Sequence, residues 1–157
     1  MTWTEKQKIP AFIFDLDGVL ADNSGRQHIL ERNTKPTRED WQEFFSKSAA
    51  DQPFWDTIKL LKNLQASSFA IIVVTGRSED YEETTAMWME SYGIFPNKLC
   101  QRRHKDFRKD WVVKEEIWRT EIEPFYQVLG VFEDRDECVN MWRDKGLTCY
   151  QPRKATY

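Results

Sequence analysis

The sequence predicts an α/β protein with a three-layer, Rossmann-like fold, built on a central, mostly parallel sheet of about five strands. Three observations predict it. Short, unbroken apolar runs rich in β-branched residues recur along the chain, the pattern of strands covered on both faces. Amphipathic helical stretches separate these runs, and strand–helix alternation calls for right-handed crossovers. Polar residues gather where the apolar runs stop, the edge at which open parallel sheets bind ligands.

Taken in order, AFIFDL (11–16) is the first central strand. Residues 22–53 then break the rhythm with a helical HILER piece and with KPTREDWQEFF, where Thr37 can cap a helix with Asp40 at its third position. This reads as a small helical insertion. The helical FWDTIKLLKNL leads into a second strand, FAIIVVT (69–75). EDYEETTAMWMESYG lines Tyr81, Thr85, Trp88, Met89 and Tyr92 along one stripe, and Gly93 supplies the stop. KLCQ is a weaker strand. DWVVKEEIWRTEI repeats the helical pattern with Val113, Ile117 and Ile122, and QVLGVFED (127–134) is the next strand. ECVNMWRDKG, with Val139, Trp142 and a terminal Gly146, precedes a last weak strand, TCYQ. Residues 1–157 are expected to form a single domain.

Composition narrows the classes of function. Hydrophobic residues make up 40% and charged residues 31% of the 157, which excludes a disordered chain. A formal charge of −3 gives no bulk field for long duplex nucleic acid, so any such contact must be local. Cys100, Cys138 and Cys149 fit no metal-binding spacing and read as buried thiols of a reducing compartment. The longest apolar run, FAIIVV, falls far short of the roughly 20 residues that span a bilayer. With no signal-peptide pattern at the start, a cytoplasmic protein without membrane partners is expected.

The strand ends carry the chemistry. The first ends in Asp15 and Asp17, the second in Thr75, Gly76 and Arg77, the weak third in Gln101, Arg102 and Arg103, and the fourth in Glu133 and Asp134. Lys114 lies early on the helix before that fourth strand. Carboxylates with a backbone carbonyl and waters form the hard oxygen shell that Mg²⁺ prefers, and cations with a Thr hydroxyl offset the charge of a transferring phosphoryl group. A carboxylate can itself be the nucleophile while a second acts as acid and then base. Blander readings stand beside these. Thr75 to Arg77 suits a strand-to-helix turn capped by Ser78, Lys114 suits a solvated helix face, and the basic run from Arg102 to Lys109 suits a soluble loop as well as a nucleic-acid contact. His28 reads as a packing or hydrogen-bonding residue. Trp41, Phe44, Phe45 and Trp55 read as the insertion's core, or as a place where one ring stacks on a base.

DLDGVLAD resembles motif I of the haloacid dehalogenase (HAD) superfamily, VVTGR its motif II, Lys114 its motif III lysine and FEDR its motif IV. NSGR, CQRR, DWVVKEEI and FEDR followed by NMWRDKGLTCYQ resemble the 3′-phosphatase domain of phage polynucleotide kinase-phosphatase; no GxxxxGK[ST] occurs in these 157 residues, so no kinase half is expected within them. The resemblance implies a HAD-type phosphatase in which Asp15 attacks phosphorus and binds Mg²⁺. Asp17 would serve as acid and base, with its carbonyl on the metal, and Asp134 would complete the shell. Thr75, Gly76 and Lys114 would hold the phosphate, and Arg26, Arg77 and Arg102 would bind substrate or build the site. Glu133 departs from the family's usual aspartate. Its extra methylene moves the carboxylate by about 1.5 Å, leaving it a ligand through water or none. The implied substrate is a phosphorylated nucleic-acid end, with mononucleotides as the alternative and a kinase or ligase as a potential partner. A non-enzymatic, phospho-accepting module is the rival class, and Asp17 discriminates against it because a positioned acid–base turns the phospho-aspartate over.

Overall fold

A computed structural model describes residues 7–156. In chain order the elements are β1 (Ile9–Phe14), β2 (Ala21–Asp22), α1 (Gln27–Glu31), α2 (Arg38–Ser46), β3 (Gln52–Pro53), α3 (Trp55–Ala66), β4 (Ala70–Ser78), α4 (Glu82–Ser91), β5 (Lys98–Arg102), α5 (Asp110–Ile117), β6 (Tyr126–Phe132), α6 (Asp136–Asp144) and β7 (Cys149–Tyr150). Five strands form one sheet in the order β5-β4-β1-β6-β7, every pairing parallel. β1 is therefore the middle strand, from which the chain builds first to one side and then to the other. Such a reversal opens a crevice beyond the carboxyl ends of β4, β1 and β6.

The unbroken apolar runs are explained by two cores, one on each face. Ala11, Ile13, Ile72, Val74 and Val131 pack with Val113, Ile117, Val139 and Trp142 of α5 and α6. Phe14, Ile71, Val73 and Phe132 pack with Ile58, Leu61, Trp88 and Met89 of α3 and α4. Successive side chains of a strand point to opposite faces, so both parities must be apolar. Trp142 is fully buried, and its replacement by Ala should cost about 3–5 kcal/mol. All three cysteines are buried and unpaired, as expected of small core residues. Past Ile117, α5 continues as a π-helical stretch over Trp118–Ile122, which carries Ile122 into the first core.

The insertion is helical but also clasped by a ribbon. β2 and β3 pair antiparallel, Ala21 against Pro53 and Asp22 against Gln52, and so bring its two ends together. Strands of two residues are too short for an alternating pattern, which is why the sequence does not reveal them. Thr37 caps α2 in a full capping box with Asp40. Ile29, Leu30 and Phe44 form a third core, with Trp41 and Phe45 against it. Two expectations are corrected here. Trp55 belongs to α3, is 49% exposed and meets Tyr92, outside the insertion's core. His28 is exposed and makes no side-chain hydrogen bond among the described residues, because α1 turns Ile29 and Leu30 inward instead.

Candidate active site

β1 stops at Phe14, but the next residue stays in line with the sheet because the Asp15 amide donates to the Phe132 carbonyl at 2.9 Å. The chain then folds into a tight turn in which the Gly18 amide donates to Ala21 and the Leu20 and Ala21 amides donate to Leu16. Gly18 sits at φ +81°, and a Cβ there would stand 2.1 Å from Asp134 Oδ2. Glycine is required on both counts. Its bareness is what lets the β1 turn approach the acids that end β6.

Those acids meet Asp15. One carboxylate oxygen from each of Asp15, Glu133 and Asp134 lies within 4.8 Å of the others, and all three residues are buried. Lys114 Nζ stands 2.8 Å from Glu133 Oε2, 3.1 Å from Asp110 Oδ2 and 3.3 Å from Asp15 Oδ1. Burial lowers the proton affinity of the Lys114 amine, but Asp110, Asp15 and Glu133 outweigh it and hold the ammonium well above its ordinary range. Lys114 is thus a buried cation and not part of a solvated face. The acids outnumber it. Burial, then Glu133, raises Asp15 well above the carboxylate range, and burial with Glu133 pushes Asp134 up to about 8. Asp134 Oδ1 is buried with no hydrogen-bond partner among the described residues. An orphaned oxygen inside a cluster of hard, repelling acids fits a divalent cation such as Mg²⁺. Glu133 is the most committed of the three: Oε2 also accepts from Trp142 at 3.4 Å, and Oε1 accepts from the Asp134 amide at 3.1 Å.

Asp17 faces the other way. Arg77 grips it twice, Nε on Oδ2 at 2.9 Å and Nη2 on Oδ1 at 2.6 Å, and Arg26 Nη2 also donates to Oδ1. Burial would raise this carboxyl, but Arg77 and Arg26 hold it down to about 2. Arg26 reaches Asp17 from the insertion. Its Nε donates to Asp51 at 2.9 and 3.1 Å, its Nη2 to Asp51 Oδ2 at 2.7 Å, and its Nη1 to the Phe44 carbonyl at 3.0 Å. Both guanidiniums are buried against protein groups.

Thr75 is buried where β4 passes the cluster, and its hydroxyl accepts from the Arg77 amide at 3.2 Å. The turn reading of Thr75 to Arg77 is corrected, since these residues lie within β4 at a bulge against β5, while the cap reading holds, Ser78 accepting from the Asp80 amide. Gly76 needs its bareness: a Cβ would meet Asp110 Oδ1 at 2.2 Å. Arg102 ties this bulge of β4 to the loop after β5. Its Nε donates to the Gly76 carbonyl at 2.9 Å, Nη1 to the carbonyls of Asp106 and Arg108 at 3.1 and 2.6 Å, and Nη2 to Asp110 Oδ1 at 3.2 Å. These contacts give Arg102 a part in building the site, and it also lines the cleft above it.

Above this floor lies a cleft of about 880 Å³, near the upper end of roughly 300–1,000 Å³ for ligand pockets. Asp15, Asp17, Thr75 and Asp134 line its base, Trp41, Phe45, Tyr81 and Phe107 its walls, and Lys35, Arg38, Arg103, Lys105 and Lys109 its rim. The exposed lining is rich in basic residues on a chain of formal charge −3, with the acids Asp80 and Glu137 among them.

Asp51 and Asp110 were absent from the sequence reading. Asp110 lies four residues before Lys114 on the same helical face, a legible signal. Nothing local marks Asp51, which is extended and follows the short helical turn Ser48–Ala50.

The family model of the polynucleotide kinase PNKP phosphatase domain matches residues 9–157. A protein of Autographa californica nuclear polyhedrosis virus, described as a bifunctional polynucleotide kinase/RNA ligase, is 34% identical over 136 residues, 85% of this chain and 18% of the viral one. A chain of the Pnkp1/Rnl/Hen1 complex superposes with a TM-score of 0.81 at 27% identity, over 99% of this chain and 51% of its own length. The chain thus spans about a fifth to a half of these relatives. A class C acid phosphatase from Bacillus anthracis, with tungstate bound, shares the fold at a TM-score of 0.68 and 16% identity, over 97% of this chain and 69% of that one. Among the described residues no helix is long and apolar enough to cross a membrane. The buried acids at the sheet's edge and the match over almost the whole length agree: the chain belongs to the HAD-fold family of polynucleotide kinase PNKP phosphatase domains and is a phosphatase, a hydrolase of phosphate esters.

Proposed function

We propose that the protein is a Mg²⁺-dependent phosphomonoesterase that removes the 3′-phosphate from nucleic-acid ends through an aspartyl-phosphate. One observation carries the reading: Asp15, beside Lys114 and the acids of β6, lies at the base of a cleft whose walls are aromatic and whose rim is cationic. Asp15 and Asp134, with the Asp17 backbone carbonyl, are the groups to hold Mg²⁺; Glu133 is largely spent on Lys114. The bound ion would supply charge neutralisation for the phosphoryl oxygens.

The steps on the chain's own residues balance as follows. An Asp15 oxygen bonds to phosphorus while the bond from phosphorus to the 3′ oxygen breaks, and that oxygen takes a proton. Water then adds to phosphorus, the bond to Asp15 breaks, and inorganic phosphate leaves. Asp17 handles both protons. With two arginines on it the carboxylate is ionised, the form needed to accept a proton from water. An incoming phosphoryl dianion adds a like charge, which raises the proton affinity of Asp17 and fits it for the acid half. Thr75 and Lys114 flank the phosphoryl group.

The viral relative's description joins kinase and ligase, and ligation needs a free 3′-hydroxyl, so a kinase or ligase partner for this chain belongs to the same reading. The test is phosphate release from a 3′-phosphorylated oligonucleotide, its 5′-phosphorylated counterpart and free mononucleotides, with Mg²⁺ and with chelator, for the protein and for Asp15→Asn. The expected result is Mg²⁺-dependent release from the 3′-phosphorylated strand, lost in the variant. Preference for mononucleotides, equal release in chelator, or near-normal turnover by Asp15→Asn would each overturn its part of the proposal.

A further inference from the structure

Phe107 stands out among the cleft's aromatics. It is 63% exposed and belongs to none of the three cores. An exposed ring on a loose loop would mean little, but this loop is anchored on both sides of it. Arg102 Nη1 holds the carbonyls of Asp106 and Arg108, and the Asp106 carboxylate accepts from the Arg108 amide at 3.1 Å and from Arg108 Nη2 at 2.6 Å. Through Arg102 Nε the same loop is fixed to Gly76, in the β4 bulge that follows Thr75. The ring is thus presented on a rigid mount joined to the phosphate end of the cleft.

Among the described residues, the ring's one stacking contact is with a cation that also lines the cleft. The Arg38 guanidinium, on the first turn of α2, lies 4.0 Å from the ring centroid. Arg38 makes no ion pair among the described residues, so the stack is its principal contact. A guanidinium on an exposed ring gains less than a nucleobase on the same ring, and it is readily redirected to a phosphate. Phe offers a π-face and no hydrogen bond, so stacking on it tolerates any base.

We propose that Phe107 is the platform for the base of the phosphorylated terminal nucleotide, a face that Arg38 covers in this structure and exchanges for the base. The proposal rests on the nucleotide-substrate reading above and adds the residue that recognises the nucleoside. It assigns Phe107 to binding and not to chemistry.

The test is a cycle between ring and base. The protein, Phe107→Ala and Phe107→Trp are assayed on a 3′-phosphorylated oligonucleotide and on the same strand with an abasic terminal residue. Losing the base should raise KM for the protein by about tenfold. Phe107→Ala should show a similar rise on the intact strand with kcat within about twofold, and no further rise on the abasic strand. Phe107→Trp should restore the low KM. Equal losses by Phe107→Ala on both strands, or an undiminished base effect in that variant, would overturn the proposal. If 3′-phosphorylated strands are not hydrolysed at all, the nucleic-acid reading fails, and the same cycle on a 3′-mononucleotide against ribose 3-phosphate decides the role of Phe107 separately.

Discussion

Asp134→Asn is expected to stabilise the protein in chelator and to remove its response to Mg²⁺. The carboxyl titrates near 8 in the folded protein against an ordinary 3.8, because it is buried beside Glu133. Between those values the folded state keeps a proton that the unfolded state has released, so the unfolded state binds fewer protons and stability falls as pH rises. The interval spans about four pH units, and at about 1.4 kcal/mol for each the ceiling is about 6 kcal/mol. Asp15 and Glu133 share the repulsion, so about 2–3 kcal/mol is the expected share relieved by Asn, whose amide can also donate to Asp15. For a chain of 157 residues that is about 5–10 °C in Tm at pH 8, shrinking toward zero at pH 4. Asp17 does not blur the window: its carboxyl, held at about 2, gives stability that is complete above 4 and lost only as pH falls through 2. Thermal unfolding from pH 4 to 8 in chelator, then with Mg²⁺, makes the measurement. Mg²⁺ should raise the Tm of the unaltered protein and leave the variant nearly unmoved. A variant less stable than its parent at pH 8 in chelator, or a difference independent of pH, would refute the electrostatic argument.

Three further outcomes are expected. Asp51→Ala strips Arg26 of its bidentate partner in a buried setting and should cost about 3 kcal/mol or more, read as a lower urea midpoint. Gly76→Ala drives a methyl into Asp110, which steadies Lys114; a displacement of about 1 Å at the phosphate site should slow turnover by about a hundredfold at near-normal Tm. Arg102→Ala frees the carbonyls of Gly76, Asp106 and Arg108, so limited trypsin digestion should cut within 103–109 much faster than in the parent, and an unchanged rate would count against the anchoring role.

Much of the fold was legible because its central strands are buried on both sides. AFIFDL, FAIIVVT and QVLGVFED mark β1, β4 and β6, and the weak KLCQ and TCYQ are the flanking β5 and β7. Their ends drifted for a physical reason. β1 stops at Phe14, yet Leu16 is fully buried, so the apolar run outlasts the pairing and places the strand end two residues late. The acid cluster was legible for the same reason as the strands, since Asp15, Glu133 and Asp134 follow the last paired residues of neighbouring β1 and β6. What sequence could not supply was partnership across the insertion. Arg26 and Asp51 are 25 positions apart, and no periodicity links a turn before α1 to an extended residue before β3.

That partnership changes what the insertion is for. Asp17 belongs to the turn after β1, but one of the two guanidiniums holding it comes from Arg26, which is fixed by Asp51 and by the Phe44 carbonyl of α2. Phe44 also lies under Arg26, its ring 3.9 Å from the guanidinium carbon. The same helix sends Trp41, Phe45 and Arg38 into the cleft wall. One short helix therefore reaches Asp17 at one end of a chain of contacts and the cleft at the other. Because Arg26 is buried and satisfied on every side, α2 cannot shift without carrying that guanidinium with it or leaving a buried charge unpaired. The position of the insertion and the charge state of Asp17 are in this way a single property of the site, although the residues responsible are scattered between positions 17 and 77.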